Sequence, residues 1–150
     1  MRPYCIGFLK QIRYYYDIYV FTASHELYAD AIVELLDPNY ELIKGIFSRK
    51  MCLLTNRGYF VKDLSIIENI GLKDMLLIDD KVQSFALQIN NGIPVKRWEN
   101  DPDDKELKYL LPLLIKFSAE FDVREVIKNH FGLEKLALLN RKSLLSILQN

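Results

Sequence analysis

Met75-Leu76-Leu77-Ile78-Asp79-Asp80 is the stretch on which the fold turns. Four apolar residues in a row, without polar alternation, describe a strand covered on both faces, as in a parallel sheet between helices. The run stops at two adjacent carboxylates, so an acidic pair stands at the strand's carboxyl end. Upstream, Ile18-Tyr19-Val20-Phe21 is a second short run of β-branched and aromatic residues, followed directly by Thr22-Ala23-Ser24. Ser24 is placed as an N-cap for a helix in which Ala29, Ile32, Val33 and Leu36 recur at helical spacing before Asp37-Pro38 ends it. Strand, turn, helix and a second buried strand predict an α/β domain, a parallel sheet flanked by helices.

The flanks extend this pattern. Pro3 suits the first turn of a helix continued by Ile6, Leu9 and Arg13, and Asp17 breaks that period ahead of the first strand. Between Ile46 and Phe60, short apolar pieces broken by Asn56-Arg57-Gly58 suggest small strands or a hairpin, and Gly71 closes a short helix. Phe85 to Ile89 can form a helical turn and Ile93-Pro94-Val95 a short edge strand. Asp101 to Asp104 make the acidic start of a helix with Leu107, Leu110, Leu111 and Leu114 as its stripe. Asp122 caps another helix running to His130, and Leu133 to Leu148 predicts one more.

Half of the 150 residues are hydrophobic, enough for a sizeable core and against a disordered tail. Twenty basic residues balance twenty acidic ones, so no bulk charge asks for a nucleic acid or a bilayer, and no direct nucleic-acid partner is expected. Cys5 and Cys52 are too few for a disulfide framework and read as buried thiols in a reducing compartment. No apolar run is long enough to span a membrane, and Arg2, Lys10 and Arg13 interrupt any signal-peptide core. The expected location is intracellular, nuclear or cytoplasmic. Tyr14, Tyr15, Tyr16 and Tyr19 are assigned to core and rim packing, and His25 and His130 to structural or solvated roles.

Ligands of doubly wound α/β domains bind beyond the carboxyl ends of the strands, which directs attention to three polar positions. Thr22 could hold an anion together with the amides of the following helix start, although taken alone it reads more simply as a local cap or turn residue. Lys62, after Tyr59-Phe60-Val61, could neutralise developing phosphoryl charge, and alone it is also an ordinary surface lysine. Asp79 and Asp80 are the strongest signal. Adjacent carboxylates at a buried strand end repel unless a cation or solvent compensates them. Hard oxygen donors in so sparse a set suit magnesium, which keeps waters and takes one or two carboxylates, and the competing reading is a solvated turn.

The order threonine, lysine, acidic pair, together with the words around it, resembles the haloacid dehalogenase superfamily. Within it, the resemblance is to the protein phosphatases of the RNA polymerase C-terminal-domain and NLI-interacting-factor type, the FCP homology family. Arg2-Pro3 is similar to the family's RP helix opening, Val20-Phe21-Thr22-Ala23-Ser24 to its VFTAS, and Tyr28-Ala29-Asp30 and Leu36-Asp37-Pro38 to its YAD and LDP. Arg49 to Cys52 resembles RxxC, Arg57-Gly58 with Val61 to Ser65 resembles RGxYVKDLS, Ile78-Asp79-Asp80 its acidic word, and Ile93-Pro94-Val95 with Trp98 its IPVxxW. An extra residue between Cys52 and Arg57, and Lys81-Val82 in place of Ser-Pro, are departures that bear on substrate choice.

The resemblance implies a Rossmann-like haloacid dehalogenase fold over 1–131, with 132–150 a C-terminal helical extension. It also implies a magnesium-dependent protein serine/threonine phosphatase working through an aspartyl-phosphate on a phosphoserine or phosphothreonine protein or peptide. Thr22 would then hydrogen-bond the phosphoryl group, Lys62 offset its charge, Arg57 contact substrate phosphate, and Asp79 and Asp80 hold or orient Mg2+. The family's nucleophile and proton donor lie in a DxDx(T/V) word on a strand before the RP helix, and no such word occurs among these residues. Losing a covalent nucleophile costs on the order of six powers of ten in rate, against roughly two to three for one stabilising donor. The expectation is therefore an N-terminally truncated form, inactive as it stands, missing the first strand of its sheet and only marginally stable and soluble. The alternative is a noncatalytic binding protein, either a pseudophosphatase that captures phosphopeptides or a relative of the mitochondrial inner-membrane translocase subunit.

Overall fold

The computed structural model describes residues 1–135, so most of the helix expected over Leu133 to Leu148 lies outside the described residues. The chain divides into two compact units, Met1–Lys50 with Lys96–Ala119, and Met51–Val95 with the chain from Glu120 onward.

In the first unit, helix α1 (Cys5–Ile12) leads to strand β1 (Ile18–Phe21), helix α2 (Glu26–Leu36) and strand β2 (Ile43–Phe47). β1 and β2 are parallel, aligned Val20 to Ile46 and Phe21 to Phe47, with a register irregularity after Ile18. The core is Val33, Leu42 and Ile43, with Leu9, Ile18, Val20, Leu36 and Ile46 packed against it. Strand alternation sends Tyr19 and Phe21 to the other face, where both rings meet Phe47 at centroid distances of 5.9 and 5.3 Å. Arg2 closes this unit at its start. Its Nε and Nη2 donate to the two oxygens of buried Asp104, at 2.8 and 2.9 Å, and the guanidinium holds that carboxyl below the usual range. Asp104 also accepts from the amide of Glu106, the first residue of helix α3 (Glu106–Phe117), whose buried face is Leu110, Leu114 and Phe117. Of the tyrosine cluster, Tyr16 donates its hydroxyl to Leu114 O at 2.7 Å, and burial pushes its phenol up to about 12, while Tyr14 is exposed.

Two local expectations change. Helix α2 starts at Glu26 with His25 at the cap position, and Ser24 instead gives its amide to Thr22 Oγ1. Strand β2 begins earlier than the apolar pieces suggested, because exposed Lys44 and Gly45, which lies against the Tyr19 ring, interrupt the apolar pattern while tertiary pairing with β1 sets the backbone.

In the second unit, β3 (Leu53–Leu54) and β4 (Phe60–Val61) form the expected hairpin, antiparallel, with Gly58 at φ +78 supplying the left-handed turn residue. β5 (Leu77–Asp79) pairs in parallel with β6 (Gly92–Pro94), Ile78 opposite Ile93. Between them runs a 3-10 stretch, Val82–Asn91, interrupted at Phe85 and Gln88. Phe85 and Ile93 are fully buried and Val61, Leu77 and Ile127 join them in the core. The Phe85 ring lies so close over Gly92 that a Cβ there would meet it at 2.0 Å, so this crossing admits only glycine. Helix α4 (Val123–Phe131) covers this unit, opened by Asp122, which accepts from the Arg124 amide, and closed by Gly132 at φ +60. Within the described residues, β1 and β5 each have one strand neighbour, and no helix is long and apolar enough to cross a membrane.

Candidate active site

The end of β5 carries a buried ion pair. Lys62, which directly follows β4, places its Nζ 2.5 Å from Asp79 Oδ2, and the two side chains are only 10% and 8% exposed. The other carboxylate oxygen of Asp79 accepts from the Lys81 amide at 2.8 Å, and the Asp79 carbonyl accepts from Val95. Asp79 is therefore fixed at both oxygens, whereas Asp80, one residue on, is exposed. A charge pair this dry is held in place by geometry, since removing either member leaves the other charged in a poorly solvated site. The sequence alone left Lys62 open to being a surface lysine; its burial, with 8% of the residue exposed, excludes that.

Arg57 sits at the tip of the β3–β4 hairpin. The turn is held by Gly58 N donating to Thr55 O, and by three bonds between Thr55 and Tyr59. Arg57 is exposed, and Gly58, Tyr59 and the two residues of β4 separate it from Lys62. The unit thus brings Lys62 and Asp79 together and leaves Arg57 outward-facing.

Thr22 belongs to the first unit. Its amide continues the β1–β2 ladder by donating to Phe47 O at 2.8 Å, and its Oγ1 accepts the Ser24 amide at 3.0 Å. Its oxygen thus makes the local turn that is the simpler of the two readings, with the hydroxyl standing at a strand's carboxyl end. Arg49, which entered the sequence reading only as part of a motif, stabilises this turn: its amide donates to Ser24 O and its Nε to Ala23 O at 2.6 Å. No periodicity or composition signal marks that role, because the bonds run to backbone carbonyls.

For a metal, the donor chemistry fits without a preformed cage. Among the described residues no group of three or more His, Cys, Asp and Glu side chains converges. Asp79 and Asp80 offer hard oxygen donors of the number magnesium takes when waters and a phosphate complete its shell. Asp80 is the accessible one; Asp79 would have to share its Oδ2 with the Lys62 ammonium.

Comparisons with known proteins give the family and the fold. A protein from Dictyostelium discoideum named CTD small phosphatase-like protein 2 is 38% identical over 135 residues, covering 90% of this chain and 23% of that protein. CTD nuclear envelope phosphatase 1B of Danio rerio is 33% identical over 135 residues, covering 90% of this chain and 54% of its own length. The chain thus spans between about a quarter and about half of these relatives. The solved structure of Fcp1, described as an essential RNA polymerase II CTD phosphatase, superposes with a TM-score of 0.71 over 88% of this chain and 50% of that one. At 18% identity that likeness shows the fold, the Rossmann-like haloacid dehalogenase fold. With residues 1–124 matching the family described as NLI interacting factor-like phosphatase, the chain belongs to that family.

Proposed function

We propose that the end of β5 is the phosphate-handling part of a magnesium-dependent phosphatase site for phosphoserine or phosphothreonine in proteins. In this reading, these 150 residues do not complete turnover by themselves. The observation that carries the reading is the buried Lys62–Asp79 pair beside exposed Asp80. A lysine paired with a carboxylate and nearly dry at a strand's carboxyl end is preorganised to meet phosphoryl oxygens, and its cost of desolvation is met before substrate arrives. Asp79 and Asp80 would hold Mg2+, which when bound supplies charge neutralisation at the phosphate oxygens. Thr22 would donate its hydroxyl proton to a phosphoryl oxygen, and Arg57 would reach substrate phosphate from the hairpin. The aspartate that attacks phosphorus, and the one that protonates the departing serine oxygen, are absent from the sequence, since no DxDx(T/V) word occurs in it. Strand β5, with a single strand neighbour among the described residues, supports a sheet edge able to accept a strand that would carry them.

Titration of inorganic phosphate into the 150-residue chain with and without Mg2+ tests this. Magnesium-dependent binding that Lys62→Met abolishes is expected; binding indifferent to both contradicts the reading. Capture of a phosphopeptide with no turnover, even once the missing strand is supplied, would favour the noncatalytic alternative. For location we propose the nucleus or cytoplasm, in keeping with relatives whose names place them at the nuclear envelope. Imaging of the tagged chain checks it.

A further inference from the structure

The segment that leaves the acidic pair also grips the loop that carries Lys62. The Lys62 amide donates to Ser84 O at 2.7 Å. One and two residues further along, the carboxamide of Gln88 makes both halves of a bridge: its Oε1 accepts the Leu64 amide at 3.2 Å, and its Nε2 donates to Asp63 Oδ1 at 2.7 Å. The orientation of the carboxamide follows from its partners, because an amide N–H can only donate and an ionised carboxylate can only accept. Asp63 is ionised in this setting. Burial pushes its carboxyl up, but the hydroxyl and amide of Ser65 and the Gln88 amide together leave it below the usual value.

These bonds make a closed circuit. From Asp79 the backbone runs through Ser84 to Gln88; from there hydrogen bonds return to Leu64, Asp63 and Lys62, and the Lys62 ammonium meets Asp79 again. A lysine stem has four rotatable methylene links and its head can reach many positions, so one defined head position, to within about 0.5 Å, is kept when the backbone that carries the stem is itself fixed. We propose that Gln88 is a positioning residue of this site, holding the Lys62 loop in register with the end of β5. The inference rests on the phosphate-handling role of Lys62 and Asp79 given above. Gln88 reaches neither phosphate nor metal; it acts through Lys62.

The side-chain chemistry supplies a swap. Gln88→Glu keeps the acceptor for Leu64 but sets a carboxylate against Asp63, and Asp63→Asn returns the lost donor from the other side. In the 150-residue chain with 15N-labelled lysine, the Lys62 ζ-ammonium resonance and the exchange of the Lys62 and Leu64 amides report the clamp. Gln88→Met and Gln88→Glu should each erase the resonance and speed both amides by about tenfold or more, leaving the Ile93 amide unchanged, and D63N/Q88E should restore all three. A Gln88→Met protein with wild-type signals overturns the proposal; if that variant does not fold, Q88E compared with the swapped pair decides, and failure of the swap to restore overturns it equally. Inorganic phosphate with Mg2+, titrated into the same samples, separates the two readings. Weakened phosphate binding that the swap rescues supports the positioning role, and undiminished binding in Q88M overturns it. A wild-type chain that shows the resonance but binds no phosphate overturns the functional reading and leaves Gln88 a structural clamp.

Discussion

Two buried aspartates, one in each unit, solve the same problem in different ways. Asp37, at the end of α2, is 3% exposed and spends its carboxylate on backbone: Glu41 donates to Oδ1 at 3.0 Å, and Leu42 and Ile43 donate to Oδ2 at 2.7 and 2.8 Å. Asp79, at the end of β5, gives one oxygen to a backbone amide and the other to the ammonium of Lys62. Backbone donors belong to the fold and cannot leave, so Asp37 shapes the turn into β2 and nothing more. A lysine head can move and can share its carboxylate with a metal or turn toward a phosphate. Burial by itself therefore does not mark function here; the exchangeability of the partner does.

The largest test of that contrast is to remove the partner. Asp79→Ala takes the carboxylate from a buried ammonium and should cost about 3–5 kcal/mol in urea unfolding, whereas replacing both members by Leu and Met should recover most of the loss. A double variant as unstable as the single one would mean that the pair is structural in the same sense as Asp37. Next, Gly92→Ala drives a Cβ into the Phe85 ring and should destabilise by about 1–3 kcal/mol, measured the same way, with the Lys62 loop loosened because Phe85 belongs to the segment that holds it.

Asp37 sharpens the comparison through pH. Burial pushes its carboxyl up, but the amides of Ile43, Leu42 and Glu41 and the charge of Arg13 outweigh that and hold it below its ordinary value. Its contribution is therefore complete above the unfolded value near about 3.9 and drains away as pH falls through the lowered folded one. A Tm profile from pH 6 to 2 should show that acid limb in the wild type and a flatter one in Asp37→Asn; equal slopes would contradict the assignment. The smallest effect concerns Arg57. Because it is exposed at a hairpin tip, Arg57→Ala should change unfolding free energy by no more than about 0.5 kcal/mol while weakening phosphopeptide binding, read by titration.

How much of this was visible in the sequence follows from the same physics. The buried strand Leu77–Asp79, the hairpin around Arg57-Gly58 and the Asp122 cap were legible because each rests on a local pattern: an apolar run, turn residues, a capping side chain. Strand β2 was legible only in part, since Lys44 and Gly45 blur its period and its pairing with β1 is non-local. Lys62 was visible as a residue but not as a buried one; the ion pair spans seventeen positions, and no spacing rule links them. Gln88 gave no signal, and Arg49 only a motif that says nothing of its role, because their partners are carbonyls, an amide and a carboxylate brought near by folding.

As proposed, β5 ends in the phosphate-handling part of a phosphatase site, and no DxDx(T/V) word that would supply the attacking aspartate occurs in these 150 residues. The most direct test of this is phosphate release from a phosphoserine peptide, comparing the 150-residue chain with the same chain preceded by an apolar strand ending in DxDx(T/V). Magnesium-dependent turnover is expected only with the added strand, abolished there by Lys62→Met. Equal turnover by the 150-residue chain alone, or a folded extended chain that releases phosphate regardless of Lys62, would contradict it.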